Sequence, residues 1–374
     1  MNNISKEKDV LNLWFNNIKD LGDVSKRKLL NKLGTIENVR EASYGILCNI
    51  LDENKAGIII NNKSMEYALE LWDMLIERNI GIVYPGHSDY PEKLLNIYDP
   101  PLILYIKGIL RKKLNIYNMN VGIVGARKAS VYGREVAEKF GYELAKKGIN
   151  IISGLALGID GRAHWGALKA GGYTVGVLGC GIDVIYPREN YDLFEEMSKK
   201  GAIISEYGPG VTPNPGLFPI RNRIISGLSD GLLVVEARKK SGSLITADVA
   251  VEQGKQVYSI PGKITDTNSE GTNNLIKQGA YLVSSPGDIV NDLCGKTETE
   301  DKTIMEQKNE TVNKNSLAPA EKMLYSCLSL EPMYIDDIIE KLKLSVSETI
   351  SLLYNMEEKG LIKQPLMGYY IISM

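Results

Sequence analysis

Histidine is the scarcest potential catalyst in this 374-residue chain, with only His87 and His164 present. His87 lies in a Pro/Gly-rich turn. His164 follows Asp160 by four residues, which puts the two on one helix face. A base with its orienting carboxylate has that spacing, but no serine nucleophile stands beside it, and His164 reads as structural. HExxH and paired metal carboxylates are missing as well, so no metal and no cofactor is expected. Cysteine is as sparse: Cys48, Cys180, Cys294 and Cys327 are scattered without a CxxC pair, which excludes a disulfide framework or zinc site and suits reduced thiols. No apolar run approaches the roughly 18 residues of a spanning helix. The opening MNNISKEKDV has no apolar h-region, so no signal peptide is expected there. Together these absences imply a cytoplasmic, non-membrane protein.

Net negative charge over the whole chain gives no hint of a polyanionic ligand, but its distribution does. Residues 1–75 carry ten Lys/Arg against eleven Asp/Glu, residues 76–296 carry 26 against 22, and residues 317–374 carry five against eight. The middle is the only positive part, and a phosphate backbone would meet it first.

Apolar periodicity divides the chain the same way. In residues 1–75, Val10, Leu11, Leu13, Trp14 and Ile18 fall at helical spacing. LGDVSKRKLLNKLGTIENV (21–39) resembles half of a helix-hairpin-helix, but the second hairpin glycine is missing. A small helical packing domain, SAM-like, is the reading preferred to DNA contact. In 76–296, the runs VGIVG, NIISG, YTVGVLG, AIISE, GLLVVEA and QVYSIPG alternate with amphipathic helices. Doubly buried strands alternating with helices predict an α/β, Rossmann-like, doubly wound parallel sheet. Residues 297–316 are polar and nearly free of bulky apolar side chains, a linker. Residues 317–374 give three helical stretches and a hairpin, the order of a winged helix.

In an open parallel sheet, ligands bind beyond the carboxyl ends of the strands. Those ends carry Gly125-Ala126-Arg127, then Ser153-Gly154, then Tyr186-Pro187-Arg188, then Arg238-Lys239-Lys240, then Lys263. Glycines let the backbone approach a phosphate, and helix N-termini supply N–H donors. No loop is a sound GxGxxG and none is GxxxxGK[ST], so dinucleotide or P-loop nucleotide binding is not supported. Several such loops converging with Arg and Lys predict one basic rim.

Six ordered motifs carry a resemblance: GARKASVYG, SGLALGIDGRAHWGAL, GGYTVGVLGCGIDVIYPREN, FPIRNRIISGLSDGLLVVEA, SGSLITADVAVEQGKQVYSIPG and GTNNLIKQGA. The chain resembles the DNA-processing protein A (DprA/Smf) family, densely over residues 80–290. The resemblance implies a protein that binds and protects incoming single-stranded DNA during natural transformation and loads the RecA recombinase on it, as a homodimer through the Rossmann domain. It implies DNA contact by Arg127, by Arg188, and by Arg221 and Arg223 of FPxRNR. Arg238, Lys239 and Lys240 match in kind. Gly125, Ser130, Ser153, Gly154, Asn222, Phe218 and Lys263 complete the expected DNA-binding set, with Phe218 or Tyr186 stacking on a base. The segment expected to be the recognition helix, SVSETISLLYNMEEKG, holds Glu348, Glu357 and Glu358 against Lys359 alone. That favours a protein contact over DNA contact there. Two other readings stay open: a nucleoside-monophosphate phosphoribohydrolase-like enzyme on this fold, with Glu236 and SGSLITA as its nearest elements, and a scaffold whose basic rim is only solvated.

Overall fold

The computed structural model describes residues 3–110, 119–295 and 317–373. The expected linker, 297–316, lies outside them.

Six helices come first: α1 (Asn3–Asn16), α2 (Asp23–Leu33), α3 (Ile36–Glu41), α4 (Tyr44–Cys48), α5 (Glu53–Asn61) and α6 (Glu66–Glu77). Their starts are set by side-chain caps where the sequence offers them. Thr35 accepts from Asn38 N–H and Asp52 from Lys55 N–H, each satisfying a donor the helix leaves open. The segment 21–39 forms α2, a turn at Gly34 and α3. Two of its four basic residues are engaged inside the fold, while Lys28 and Lys32 stay exposed: Lys26 Nζ donates to the Asn16 carbonyl at 2.5 Å, and Arg27 donates to the Pro100 carbonyl at 2.9 Å and pairs with Asp99. That half-hairpin therefore fastens helices together. Val10, Leu13, Trp14, Phe15 and Ile18 are buried, and the same apolar cluster continues through Tyr105, Leu178, Phe194 and Ile203. The helices and the sheet thus share a core across residues 75 and 76.

The central elements run β1 (Ile80–Val83), α7 (Glu92–Leu95), β2 (Leu104–Gly108), β3 (Asn120–Val124), α8 (Val131–Lys146), β4 (Asn150–Ser153), α9 (Ile159–Lys169), β5 (Thr174–Val177), α10 (Tyr191–Lys200), β6 (Ala202–Ser205), α11 (Leu217–Leu228), β7 (Gly231–Val234), α12 (Gly242–Glu252), β8 (Gln256–Ser259), α13 (Glu270–Lys277), β9 (Tyr281–Leu282) and α14 (Pro286–Leu293). They build a nine-stranded sheet in the order β1-β2-β6-β5-β4-β3-β7-β8-β9. From β6 to β9 every pairing is parallel, and β1 and β2 add an antiparallel edge. Strands β3 to β7 are buried throughout, which is why their sequences are continuous apolar runs rather than alternating ones. Val136, Phe140, Ile151 and Ile159 belong to the core of one face, and Ile224, Ile225, Ala247 and Val257 to that of the other.

The chain winds outward from β3 through β4 and β5 to β6, then returns to lay β7 on the other flank of β3. That reversal opens a crevice above the carboxyl ends of β3, β4 and β7, the place where such sheets take ligands.

The last elements are α15 (Pro319–Cys327), β10 (Met333–Tyr334), α16 (Ile335–Leu342), α17 (Val346–Glu358), β11 (Ile362–Leu366) and β12 (Tyr369–Ile372), with the strands in the order β10-β12-β11. This is a winged helix around its own apolar cluster, including Leu324, Ile338, Leu353 and Met356. Ion pairs Lys363–Glu135 and Lys263–Glu331 link it to the central domain. Among the described residues, no helix is long and apolar enough to cross a membrane.

Candidate nucleic-acid interface

The crevice is a cleft of about 590 Å³, lined by five cationic side chains (Arg127, Lys128, Arg221, Arg238 and Lys240) and one carboxylate, Asp160. Arg127 leaves β3 in a turn held from below by Gly158. Gly158 has φ of 78°, and a Cβ there would stand 2.3 Å from the Ala126 carbonyl oxygen and 2.6 Å from that of Arg127. Only glycine fits, and the Arg127 backbone is fixed as a result. Arg127 and Lys128 are exposed, and among the described residues neither pairs with a carboxylate. The Arg127 guanidinium lies 5.0 Å from the centre of the Phe218 ring, and Phe218 stacks on Tyr186 at 5.7 Å and 27°. Across the cleft, Arg238 Nε donates to Asn268 Oδ1 at 3.0 Å, and Ser241 caps α12 by accepting from Ser243 N–H. A row of cation, ring and ring thus faces a second bank of cations and small hydroxyls.

Arg221 forms the floor. It is buried, and its Nη1 donates to the carbonyls of Gly154 (2.8 Å) and Val177. Gly154 makes this possible, because a Cβ there would stand 2.5 Å from the guanidinium. Burial brings the Arg221 guanidinium down to about 10, so it stays charged at neutral pH. Its Nε has no hydrogen-bond partner. Asp160 accepts from Gly154 N–H at 3.1 Å, and burial pushes its carboxyl above the usual carboxylate range, with nearby Arg221 opposing that shift.

A family model described as DNA recombination-mediator protein A matches residues 81–294, more than half of the chain. The chain belongs to that family. A second model, the DprA winged helix domain, matches residues 308–365. Protein Smf of Synechocystis is 32% identical over 96% of this chain and 97% of its own length. DNA processing protein DprA of Bacillus subtilis is 44% identical over 58% of this chain and 72% of its own. Among solved structures, DprA of Streptococcus pneumoniae aligns with a TM-score of 0.67 and 33% identity, covering 76% of this chain and 97% of that one. DprA of Helicobacter pylori, whose structure is described as showing a unique single-stranded DNA binding mode, aligns with a TM-score of 0.51 and 32% identity over 57% of this chain and 95% of that one.

In this DprA-family chain, the fold brings Gly125, Arg127, Phe218, Arg221, Asn222, Arg238 and Lys240 together in the cleft, with Gly154 in the recess behind the aromatic pair. Other expected residues lie elsewhere. Arg223 points away from the cleft. Its guanidinium makes two 2.5 Å bonds to the Glu206 carboxylate, and its Nε donates to the Asp99 carbonyl. Ser130 caps α8 by accepting from Gly133 N–H and donates its own hydroxyl to Glu236. Ser153 is fully buried and donates to the Ile123 carbonyl. Lys263 is held by Glu331, and Lys239 is exposed but not in the cleft lining. Arg188 stands outside the cleft, in a shallow depression next to it.

Glu236, the carboxylate of the enzyme reading, is buried and accepts from Ser130 N–H, Ser130 Oγ and Asn268 Nδ2. It holds the start of α8 and does not line the cleft. His164 is also fully buried. Its Nδ1 bonds the Thr174 hydroxyl at 2.6 Å, its Nε2 is unpartnered, and burial holds the ring at about 3, hence neutral. Lys128 was not singled out from the sequence, although it follows Arg127 in the same Gly loop. Among the described residues, no group of three or more His, Cys, Asp or Glu side chains is arranged to hold a metal ion.

Proposed function

We propose that this protein binds single-stranded DNA in the switch-point cleft, shields the strand, and delivers it to a RecA-type recombinase during natural transformation, working as a homodimer. The observation that carries the DNA reading is the row Arg127–Phe218–Tyr186. An exposed arginine with no carboxylate partner among the described residues lies against a stacked aromatic pair, and the opposite bank is cationic too. Cations track a phosphate backbone, while ring faces take bases that a duplex keeps stacked away. Family membership supports the recombination role, and the solved relative from H. pylori is described by its single-strand binding.

A single strand is favoured over a duplex because α17, at the recognition-helix position of the winged helix, offers no basic face to a major groove. Helix α17 carries Glu348, Glu357 and Glu358, and Lys359 is already paired with Glu321. A gel shift with labelled single strands and unlabelled duplex competitor at two salt concentrations tests the reading. Single strands should resist duplex competition, and equal displacement by duplex would overturn it. The recombinase step is tested by following RecA filament assembly on single strands already coated by a single-strand-binding protein. The protein should shorten the assembly lag, and an unchanged lag would remove that part of the proposal.

A further inference from the structure

The loop after β5 extends the aromatic row of the cleft outward with a further ring, Tyr191, that the cleft does not use. Tyr186, Arg188 and Tyr191 line one shallow depression whose floor is Val184, Ile185 and Pro213. Tyr186 and Pro213 also line the main cleft, so the two concavities are continuous. Tyr186 is 42% exposed although it is also stacked on Phe218, and Tyr191, at the start of α10, is 53% exposed. Arg188 is exposed, and among the described residues neither Glu189 nor Asp192, its neighbours in the chain, pairs with it. The loop itself is fastened: Asn190 Nδ2 donates to the carbonyls of Leu155 (2.9 Å) and Ala156 (3.1 Å), in the turn after β4. Two exposed rings, an apolar floor and an unpaired arginine on an anchored loop match one nucleotide of a flexible strand, with the base against the rings and the phosphate on the guanidinium.

Charge at the opposite end points the same way. Beyond β8, Lys263 is occupied by Glu331 of the winged helix, and Lys363 of that domain is tied to Glu135 of α8. Residues 317–374 carry five basic against eight acidic side chains. A strand leaving the cleft over β8 would approach a domain of its own sign, whereas one leaving over β5 reaches Arg188.

We propose that the strand held in the cleft continues over β5 onto a stacking shelf formed by Tyr186, Arg188 and Tyr191, with Tyr191 the outer base-binding residue. This rests on the single-strand reading, to which Tyr186 and Arg188 already belong, and adds the direction of travel and Tyr191 as a further base-binding residue. The test measures affinities of wild type, Tyr191→Ala, Tyr191→Phe and Arg127→Ala for oligothymidylates shortened one nucleotide at a time. A fluorescent 2-aminopurine is also placed at each position of a fixed-length strand. Wild type and Tyr191→Phe should gain affinity at one length, and Tyr191→Ala should lack that gain, a loss of about 5- to 150-fold from one unstacked base. The 2-aminopurine at the position reaching the shelf should be quenched by wild type and Tyr191→Phe but not by Tyr191→Ala. If Tyr191→Ala matches wild type at every length while Arg127→Ala binds weakly, the shelf is wrong and the cleft reading stands. If neither variant changes affinity, both are wrong.

Discussion

Arg127→Ala separates a DNA-binding arginine from the structural arginines that surround it. Arg127 is exposed, has no carboxylate partner among the described residues, and rests its guanidinium 5.0 Å from the centre of the Phe218 ring. An exposed cation–π contact contributes about 0.5–1 kcal/mol to folding. For a chain of this size, that lowers the melting temperature by no more than about 2–4 °C. A charge-assisted bond to phosphate is worth about 1.5–3 kcal/mol, so losing it should weaken single-strand binding about 10- to 150-fold. Arg221→Ala and Arg223→Ala should behave in the opposite order. Arg221 donates to two buried carbonyls above the buried Asp160, and Arg223 holds Glu206 through two 2.5 Å bonds. Stripping a fully buried carboxylate of its partner costs about 3–5 kcal/mol, and Glu206 is only 12% exposed, so Arg223→Ala should lose melting temperature clearly, by up to that equivalent. The assay is fluorescence anisotropy with a labelled oligothymidylate, run beside thermal melts of all three variants. Unchanged affinity in a normally folded Arg127→Ala would refute the reasoning, as would an Arg223→Ala that melts like wild type.

Three further outcomes follow from the same geometry. Cutting the chain at about residue 300 should leave single-strand binding largely intact in an anisotropy titration, because residues 317–373 have their own apolar cluster and line no part of the cleft. Abolished binding by a folded truncation would make the winged helix a DNA contact. Gly154→Ala should lower the melting temperature by the equivalent of about 1–3 kcal/mol, since its Cβ would meet the fixed Arg221 guanidinium at 2.5 Å; an unchanged melt would show that the floor can yield. Burial holds His164 at about 3, below its ordinary value near 6.5, so the unfolded chain takes up the proton first as pH falls. Stability should therefore drop from about pH 6.5 downward and level off near 3. Denaturant melts should show His164→Gln losing on the order of 2 kcal/mol less than wild type between pH 7 and 4.5.

Strands β3 to β8 were legible in the sequence because the parallel sheet buries both faces of its inner members, which leaves apolar runs closed by glycine. The rim was legible for the same reason, since whatever follows each run must sit at the strand's carboxyl end. What misled was the arginine pair of FPIRNR. Residues two apart on a helix do not face the same way, so α11 sends Arg221 into the floor and Arg223 toward Glu206. Helical phase would have separated them, but which one enters the cleft depends on packing. Ser130 could not be read locally, because the carboxylate that claims it is Glu236, 106 residues away. Likewise, the continuity of the N-terminal helices with the sheet runs through residues such as Tyr105 and Phe194, which carry no local sign of that contact.

The salt dependence of single-strand affinity tests the central claim most directly. Arg127, Lys128, Arg188, Arg238 and Lys240 are the cations at the cleft and its adjoining depression that the fold leaves exposed. If each neutralises one phosphate of a single strand, log affinity should fall against log salt with a slope near −0.7 per contact, or about −3.5 per protomer. Arg127→Ala should make the slope shallower by about 0.7 with a near-uniform loss across oligonucleotide sequences. An affinity independent of salt, or an Arg127→Ala slope equal to that of wild type, would mean that the strand does not lie in this cleft.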